Sequence, residues 1–377
     1  MKKILVSILI IILLQSLSAN LSLAGDEAYK GAGTTAATFL KIGVGARATA
    51  MGEAFSSVAD DATAIYWNPA GLSLFKSKEF SAMHNIYFED ISHDFLGYAQ
   101  PFGKDKAFGV GLVGVFITGL ERFSGSPTTT EPEGTFAAYD GALSLSYSQR
   151  IFGNLFGGVS LKGIHQEIDG QCGRGAALDM GLLYKNRIKG LDLGCTIQNI
   201  GQEMKIYERS FSLPLTIRAG SSYRLFRDRL TLALDAKKPI DQEVSLHLGT
   251  EWWPFRIMAL RGGYKYKLDN IEKDPLTGLT AGAGFNFRWL QLEYAYVPYA
   301  NLGDVHRISL LFRFGRREGE EVGKEEEEVD EEYHTLSTQI FSQENHIIEK
   351  DLNPNQEIDG FILFETKESP KKLSYED

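Results

Sequence analysis

The chain has 377 residues, 43% hydrophobic and 11% aromatic, with 39 glycines and a net charge of −10 that is spread unevenly. Residues 316–377 carry 19 acids and 7 bases, whereas residues 25–315 carry 30 of each. A neutral body with an acidic end lacks the basic face a nucleic-acid partner needs, and no nucleic acid is expected. Two cysteines, Cys172 and Cys195, are too few for a disulfide framework and lack metal-ligand spacing, so unpaired thiols are the favoured reading.

Lys2 and Lys3 precede an apolar run over residues 4–17, and Ser22-Leu23-Ala24 offers small residues for cleavage. This pattern predicts a secretory signal over 1–24, because a spanning helix needs about 20 apolar residues. No cysteine follows the apolar run, which excludes a lipoprotein anchor. No later stretch is apolar enough for a transmembrane helix.

Residues 25–77 have a composition of their own. They include Phe39-Leu40-Lys41-Ile42-Gly43-Val44-Gly45-Ala46-Arg47 and Ala50-Met51-Gly52-Glu53-Ala54-Phe55. There follows Ala59-Asp60-Asp61-Ala62-Thr63-Ala64-Ile65-Tyr66-Trp67-Asn68-Pro69-Ala70-Gly71-Leu72. Asp60 or Asp61 can cap a short helix over residues 62–67, and Pro69 forces Asn68 out of helical geometry. The segment is too small for a domain and too apolar to float free. Burying it inside a barrel, as a plug, solves both problems.

From 78 to 315 the chain alternates with period two. Leu230, Leu232, Leu234 and Ala236 interleave with Thr231, Ala233, Asp235 and Lys237, and Ile308, Leu310, Phe312 and Phe314 with Arg307, Ser309, Leu311 and Arg313. Strands are predicted over 78–88, 93–103, 106–123, 135–151, 154–170, 173–188, 190–201, 213–226, 228–240, 244–255, 256–268, 278–289, 290–301 and 304–315. The fold class is therefore all-β: a transmembrane antiparallel β-barrel of about 14 strands with a short N-terminal luminal plug segment. Connections after even-numbered strands are tight and most of the others longer, with 124–134, 202–212 and 269–277 the clearest. Sorting of loop lengths by parity is the outer-membrane signature, the short side being periplasmic.

The polar face carries Lys162, Asp179, Asp192, Arg218, Arg224, Asp235, Lys237, Glu251, Arg261, Lys265, Glu293, Arg307 and Arg313. A basic residue facing lipid near the midplane costs about 2–4 kcal/mol, so these charges are expected to point inward. A salt-bridged interior is favoured over a selectivity ring, since buried charges generally pair. Residues 316–377, rich in charge and without a core pattern, are expected to be a disordered periplasmic tail.

The run from Asp60 to Leu72 resembles the marker segment of the PorV/PorQ family, relatives of the FadL outer-membrane transporters. The end of the chain is also similar: Tyr294-Ala295-Tyr296, Leu302-Gly303, His306-Arg307-Ile308-Ser309-Leu310 and Phe312-Arg313-Phe314. The similarity spans roughly residues 33–315, and the acidic tail departs from the family pattern. The resemblance implies a fourteen-stranded barrel with an N-terminal segment in the lumen, in which Gly43, Gly45, Arg47, Asp60, Asp61, Trp67, Asn68, Pro69, Ala70 and Gly71 form the plug motif. It implies outer-membrane lipid as surroundings, and passage of hydrophobic small molecules or, alternatively, secreted cargo proteins received as part of a type IX-like secretion system. A purely structural barrel is the third reading.

No enzyme is expected, and neither a cofactor nor a metal. Gly109-Val110-Gly111-Leu112-Val113-Gly114 and Gly43-Val44-Gly45-Ala46-Arg47-Ala48 fit dinucleotide-binding patterns, but neither lies between a strand and a helix in a βαβ unit. Backbone packing is the better account of both. Histidines 84, 93, 165, 247, 306, 334 and 346 show no ligand spacing, and G-x-S-x-G is absent.

Overall fold

The computed structural model describes residues 31–87, 91–123, 131–186, 190–268, 278–299 and 303–316. The expected signal at 1–24 and nearly all of the tail at 316–377 lie outside these residues. The strands are β1 (Ser77–Ile86), β2 (Ser92–Phe102), β3 (Lys106–Arg122), β4 (Gly134–Phe152), β5 (Leu155–Ile168), β6 (Gln171–Asn186), β7 (Leu191–Gly201), β8 (Met204–Ile206), β9 (Arg209–Phe211), β10 (Thr216–Leu225), β11 (Leu230–Pro239), β12 (Ser245–Phe255), β13 (Met258–Lys267), β14 (Leu279–Phe287), β15 (Leu290–Pro298) and β16 (Asp304–Arg316).

Fourteen of them close into one antiparallel barrel. Each pairs with its neighbour in sequence, β7 pairs with β10 across the small hairpin β8–β9, and β16 returns to β1 from Lys78↔Phe314 to Ile86↔His306. Closure satisfies the backbone groups that an open sheet would leave at its edges. The hairpin β8–β9 was not expected; it occupies the predicted 202–212 loop.

The wall is inside-out relative to a soluble protein. On β11, Leu232 and Leu234 are 45% and 46% exposed, while the intervening Ala233 and Asp235 are 6% and 0% exposed. The same inversion runs through Leu143, Leu145, Leu161, Leu248, Leu292 and Ile308, all exposed beside buried Ser144, Lys162, His247, Glu293 and Arg307. An outer surface of this kind is stable only in an apolar medium. The fold is that of an outer-membrane barrel.

Tight turns gather at one end, after Phe102, Phe152, Leu225, Phe255 and Phe287. Exposed Phe102, Phe152, Phe226, Phe255, Phe287, Trp289 and Phe314 ring that end, as aromatic girdles mark membrane interfaces. At the opposite end the parity rule is looser than predicted. The β5–β6 connection is only Asp169-Gly170, both with positive φ (51° and 75°). Long strands replace a loop there: β5 and β6, which flank it, run to 14 and 16 residues.

Both cysteines are free. Cys195 lies opposite Leu182 of β6, ten positions along that strand from Cys172, or about 33 Å at strand rise. A disulfide needs Cα atoms within about 7 Å, so these two cannot pair.

Candidate functional site: the luminal plug and its seat

Residues 36–75 fill the barrel as four short helical turns joined by tight bends: Thr38–Lys41, Ala46–Ala50, Ala64–Trp67 and Pro69–Leu74. None is long enough to be stable alone; packing holds them. Trp67 is fully buried, donates from Nε1 to the Val44 carbonyl (2.9 Å) and meets Phe55 edge-on. The Tyr66 hydroxyl donates to the Leu40 carbonyl (2.9 Å). Gly43 lies under the Trp67 ring, where a Cβ would come within 2.8 Å of it, and Gly45 turns at φ 80° into the helix Ala46–Ala50.

The marker segment works as joinery. Asp61 is buried and accepts from the Thr63 backbone N–H (2.9 Å) one turn before the helix Ala64–Trp67, while Asp60 is exposed. Asn68 leaves helical geometry at φ −159°, as the following proline demands. Its Nδ2 donates to the carbonyls of Ser56 (2.7 Å) and Leu182 (3.1 Å), and its Oδ1 accepts from Ala70 N–H (3.1 Å). Pro69 starts the next turn, and Gly71 passes so close to the Ala59 carbonyl that a Cβ would sit 2.0 Å from it.

The wall is carved to receive this segment. A Cβ on Gly109 or Gly111 would strike Ile65, on Gly158 the Pro69 backbone at 2.3 Å, and on Gly181 the Asn68 Oδ1 at 2.1 Å. Gly194 faces the Ser56 carbonyl, Gly249 the Met51 carbonyl, Gly263 the Gly52 nitrogen and Gly282 the Ala50 methyl. The Gly109–Gly111 pair that imitates a dinucleotide loop is thus part of the seat, and Gly45 of the second imitation is a bend of the plug whose N–H donates to Met83 Sδ of the wall (3.0 Å).

Polar wall side chains finish the seat. Ser309 accepts from Ala46 N–H (2.8 Å), Asp235 from the N–H groups of Ser56 (2.9 Å) and Phe55 (3.2 Å), and Glu79 from Ala62 N–H (3.0 Å). Thr280 accepts from Gly52 N–H (3.0 Å) and donates to the Ala50 carbonyl (2.9 Å).

The inward charges form two layers. Toward the tight-turn end, Arg47 reaches Asp60, Asp61 (3.1 Å) and Glu251 (2.7 Å); Arg261 bridges Glu251 (3.0 Å) and Glu293; Arg313 meets Glu79 (3.0 Å); and Arg224 meets Asp192 (3.3 Å). Toward the opposite end, Glu53 pairs with Lys265 (2.7 Å) and lies within reach of Arg218 (3.7 Å) and Lys237 (3.8 Å). Arg218 also lies over the Trp67 ring, 4.8 Å from its centre. Lys41 joins Asp241 at that rim, where Thr35 also donates to it (2.7 Å). Burial alone would raise Glu53, yet Lys265, Lys237, His247 and Arg218 together hold its carboxyl well below the ordinary range. Asp241 is likewise held below its ordinary value, against burial, by Lys41 and Thr35.

Among the residues singled out from sequence, Asp235, Glu251, Arg261, Glu293 and Arg307 are buried within the barrel, and Arg218 is 1% exposed there; Arg224 and Arg313 sit nearer the rim. Glu79, Asp241, Met83 and Thr280 of the wall, and Glu53 of the plug, were not singled out, although they carry much of the contact between the two. Strand parity alone could have turned Glu79 and Met83 inward; their partners lie too far along the chain for any local signal. Among the described residues no group of side chains could hold a metal ion.

The sequence profile of an uncharacterised protein family (UPF0164) matches residues 15–199. No curated protein sequence matches. Solved structures of similar fold include the Ralstonia pickettii toluene transporter TbuX, at 15% identity over 72% of this chain and 99% of that one, with a TM-score of 0.53. The Pseudomonas putida toluene transporter TodX is similar at 16% identity over 71% of this chain and 96% of that one, TM-score 0.52. A TodX deltaS2 mutant, a monoaromatic hydrocarbon channel, aligns at 16% identity over 72% and 99%, TM-score 0.54. At these identities the likeness is one of fold.

Proposed function

We propose that the protein lets hydrophobic small molecules cross the outer membrane, with its apolar outer band in contact with lipid and its plug controlling passage. One observation carries this reading: the lumen is occupied by a segment whose core is closed to water, yet which, beyond its peptide link into β1, is held to the wall by non-covalent contacts. A water-filled pore offers an apolar solute no favourable surface. A displaceable apolar plug suits a solute that travels from one apolar surface to the next. The fold shared with TodX and TbuX, which are hydrocarbon and toluene transporters, supports the same reading.

The finer placement in the PorV/PorQ family, with receipt of secreted cargo proteins, rests on the resemblance of the marker segment and of the end of the chain. In this chain that segment faces inward and builds the plug. Recovery of defined protein partners from detergent extracts would favour the secretion role.

The test is uptake of labelled toluene and of a labelled long-chain lipid by cells that lack their own hydrophobic-uptake barrel. Expression of the protein should raise uptake of at least one of them. Uptake equal to that of cells carrying an empty vector overturns the transport reading.

A further inference from the structure

The inward row Arg307–Asn85–His93 crosses β16, β1 and β2 as direct register partners near the end opposite the tight turns. All three side chains are buried, Asn85 and His93 completely. Both amide atoms of Asn85, both ring nitrogens of His93 and Nε of Arg307 are enclosed without a hydrogen-bond partner. Five orphaned polar atoms in one row are exceptional, since buried polar groups in folded proteins are nearly always satisfied.

The charge of Arg307 makes the row more than a packing defect. Its guanidinium donates only to neutral acceptors: the Gly43 carbonyl, Thr49 Oγ1 and the Tyr87 hydroxyl (3.1 Å). No carboxylate pairs with it among the described residues. Glu53, toward the same end, is shared by Lys265, Arg218 and Lys237. Arg218 shows the contrast: it too has an orphaned Nε, but a carboxylate stands beside it. A water molecule would satisfy hydrogen bonds around Arg307 and leave its charge uncompensated. An anion does both.

We propose that Arg307, Asn85 and His93 form a site for one small inorganic anion of halide size, resident between the wall and the plug. The anion accepts from Arg307 Nε, Asn85 Nδ2 and a His93 ring N–H. The enclosure of the orphaned atoms excludes a bulky headgroup. Because Arg307 also holds Gly43 and Thr49, the occupied site fixes the plug's first bends against β16.

The test uses the purified full-length barrel. Crystals grown in bromide should show an anomalous peak beside Arg307 Nε. In parallel, the midpoint of heat-induced mobility change is compared in sodium chloride, sodium gluconate and gluconate plus decanoate at equal ionic strength. Chloride should raise the midpoint by roughly 2–4 °C over gluconate. Arg307→Gln should abolish that difference, and Asn85→Leu should reduce it if the first variant fails to fold. Equal midpoints in chloride and gluconate, water alone at the site, or an Asn85 amide bridging His93 to Arg307 with no ion, overturns the proposal. So does stabilisation by decanoate without chloride, which would assign the site to the acidic end of an amphiphile.

Discussion

Arg47 of the plug grips Glu251 of β12 with two parallel contacts, Nε to Oε1 at 2.9 Å and Nη2 to Oε2 at 2.7 Å. The residues are 204 apart in sequence, and Arg261 shares the same carboxylate. This pair is the plug's strongest polar tie to the wall toward the tight-turn end.

Removing one member of such a pair leaves a buried charge without its partner, at a cost of about 3–5 kcal/mol. Glu251→Gln should lower the stability of the folded barrel to urea by up to that order, because it takes a carboxylate from both Arg47, which keeps Asp60 and Asp61, and Arg261, which keeps Glu293. Arg47→Met should cost less, since Glu251 keeps Arg261. Equal, negligible effects would mean that the clamp is not formed.

The glycine seat gives a paired test on one strand. A methyl on Gly263 would meet the Gly52 nitrogen at 2.1 Å, whereas one on Gly262 meets only Thr250 Cγ2 at 3.7 Å. Gly263→Ala should cost about 1–3 kcal/mol through overpacking and should open the plug to protease. Gly262→Ala should leave both unchanged, so similar behaviour of the two variants would contradict the seat.

Acid should loosen the plug. Glu53 and Asp241 both have carboxyls held below their ordinary range. Each therefore contributes stability that is fully present above the ordinary carboxylate values, about 4, and is lost as pH falls through the depressed folded values. Hydrogen-exchange protection in residues 36–56, relative to the intrinsic rate at each pH, should fall below about pH 4, and Glu53→Gln should blunt that fall while lowering protection at pH 7. A profile flat down to pH 2 would argue against these pairs.

The outward face of β11 can be tested directly. Leu234 is exposed near the middle of its strand. Leu234→Arg should cost about 2–4 kcal/mol for folding into lipid vesicles if that face meets the hydrocarbon core. On a water-facing sheet the same change would be close to neutral.

The sequence by itself determined the number of strands in the barrel wall, their boundaries to within a few residues and the sense in which each faces. The reason is local: in a strand successive side chains point to opposite sides, so Leu232 and Leu234 declare one face, and Ala233 and Asp235 the other, with no knowledge of the neighbours. The reading of residues 25–77 as a segment apart from the wall was also local, because their apolar bends fit neither a strand nor a free loop.

Only the tertiary structure decided which polar group meets which. Arg47 finds Glu251, Thr35 finds Asp241 and Arg307 finds Gly43 through closure of β16 on β1 and the stagger of fourteen strands. Stagger is a sum of pairwise registers around the whole ring, and a one-residue slip anywhere turns a strand's faces over. The wall glycines show the same limit. Strand parity sends Gly263 inward with Arg261 and Lys265, but only the plug lying against it makes its missing side chain a requirement.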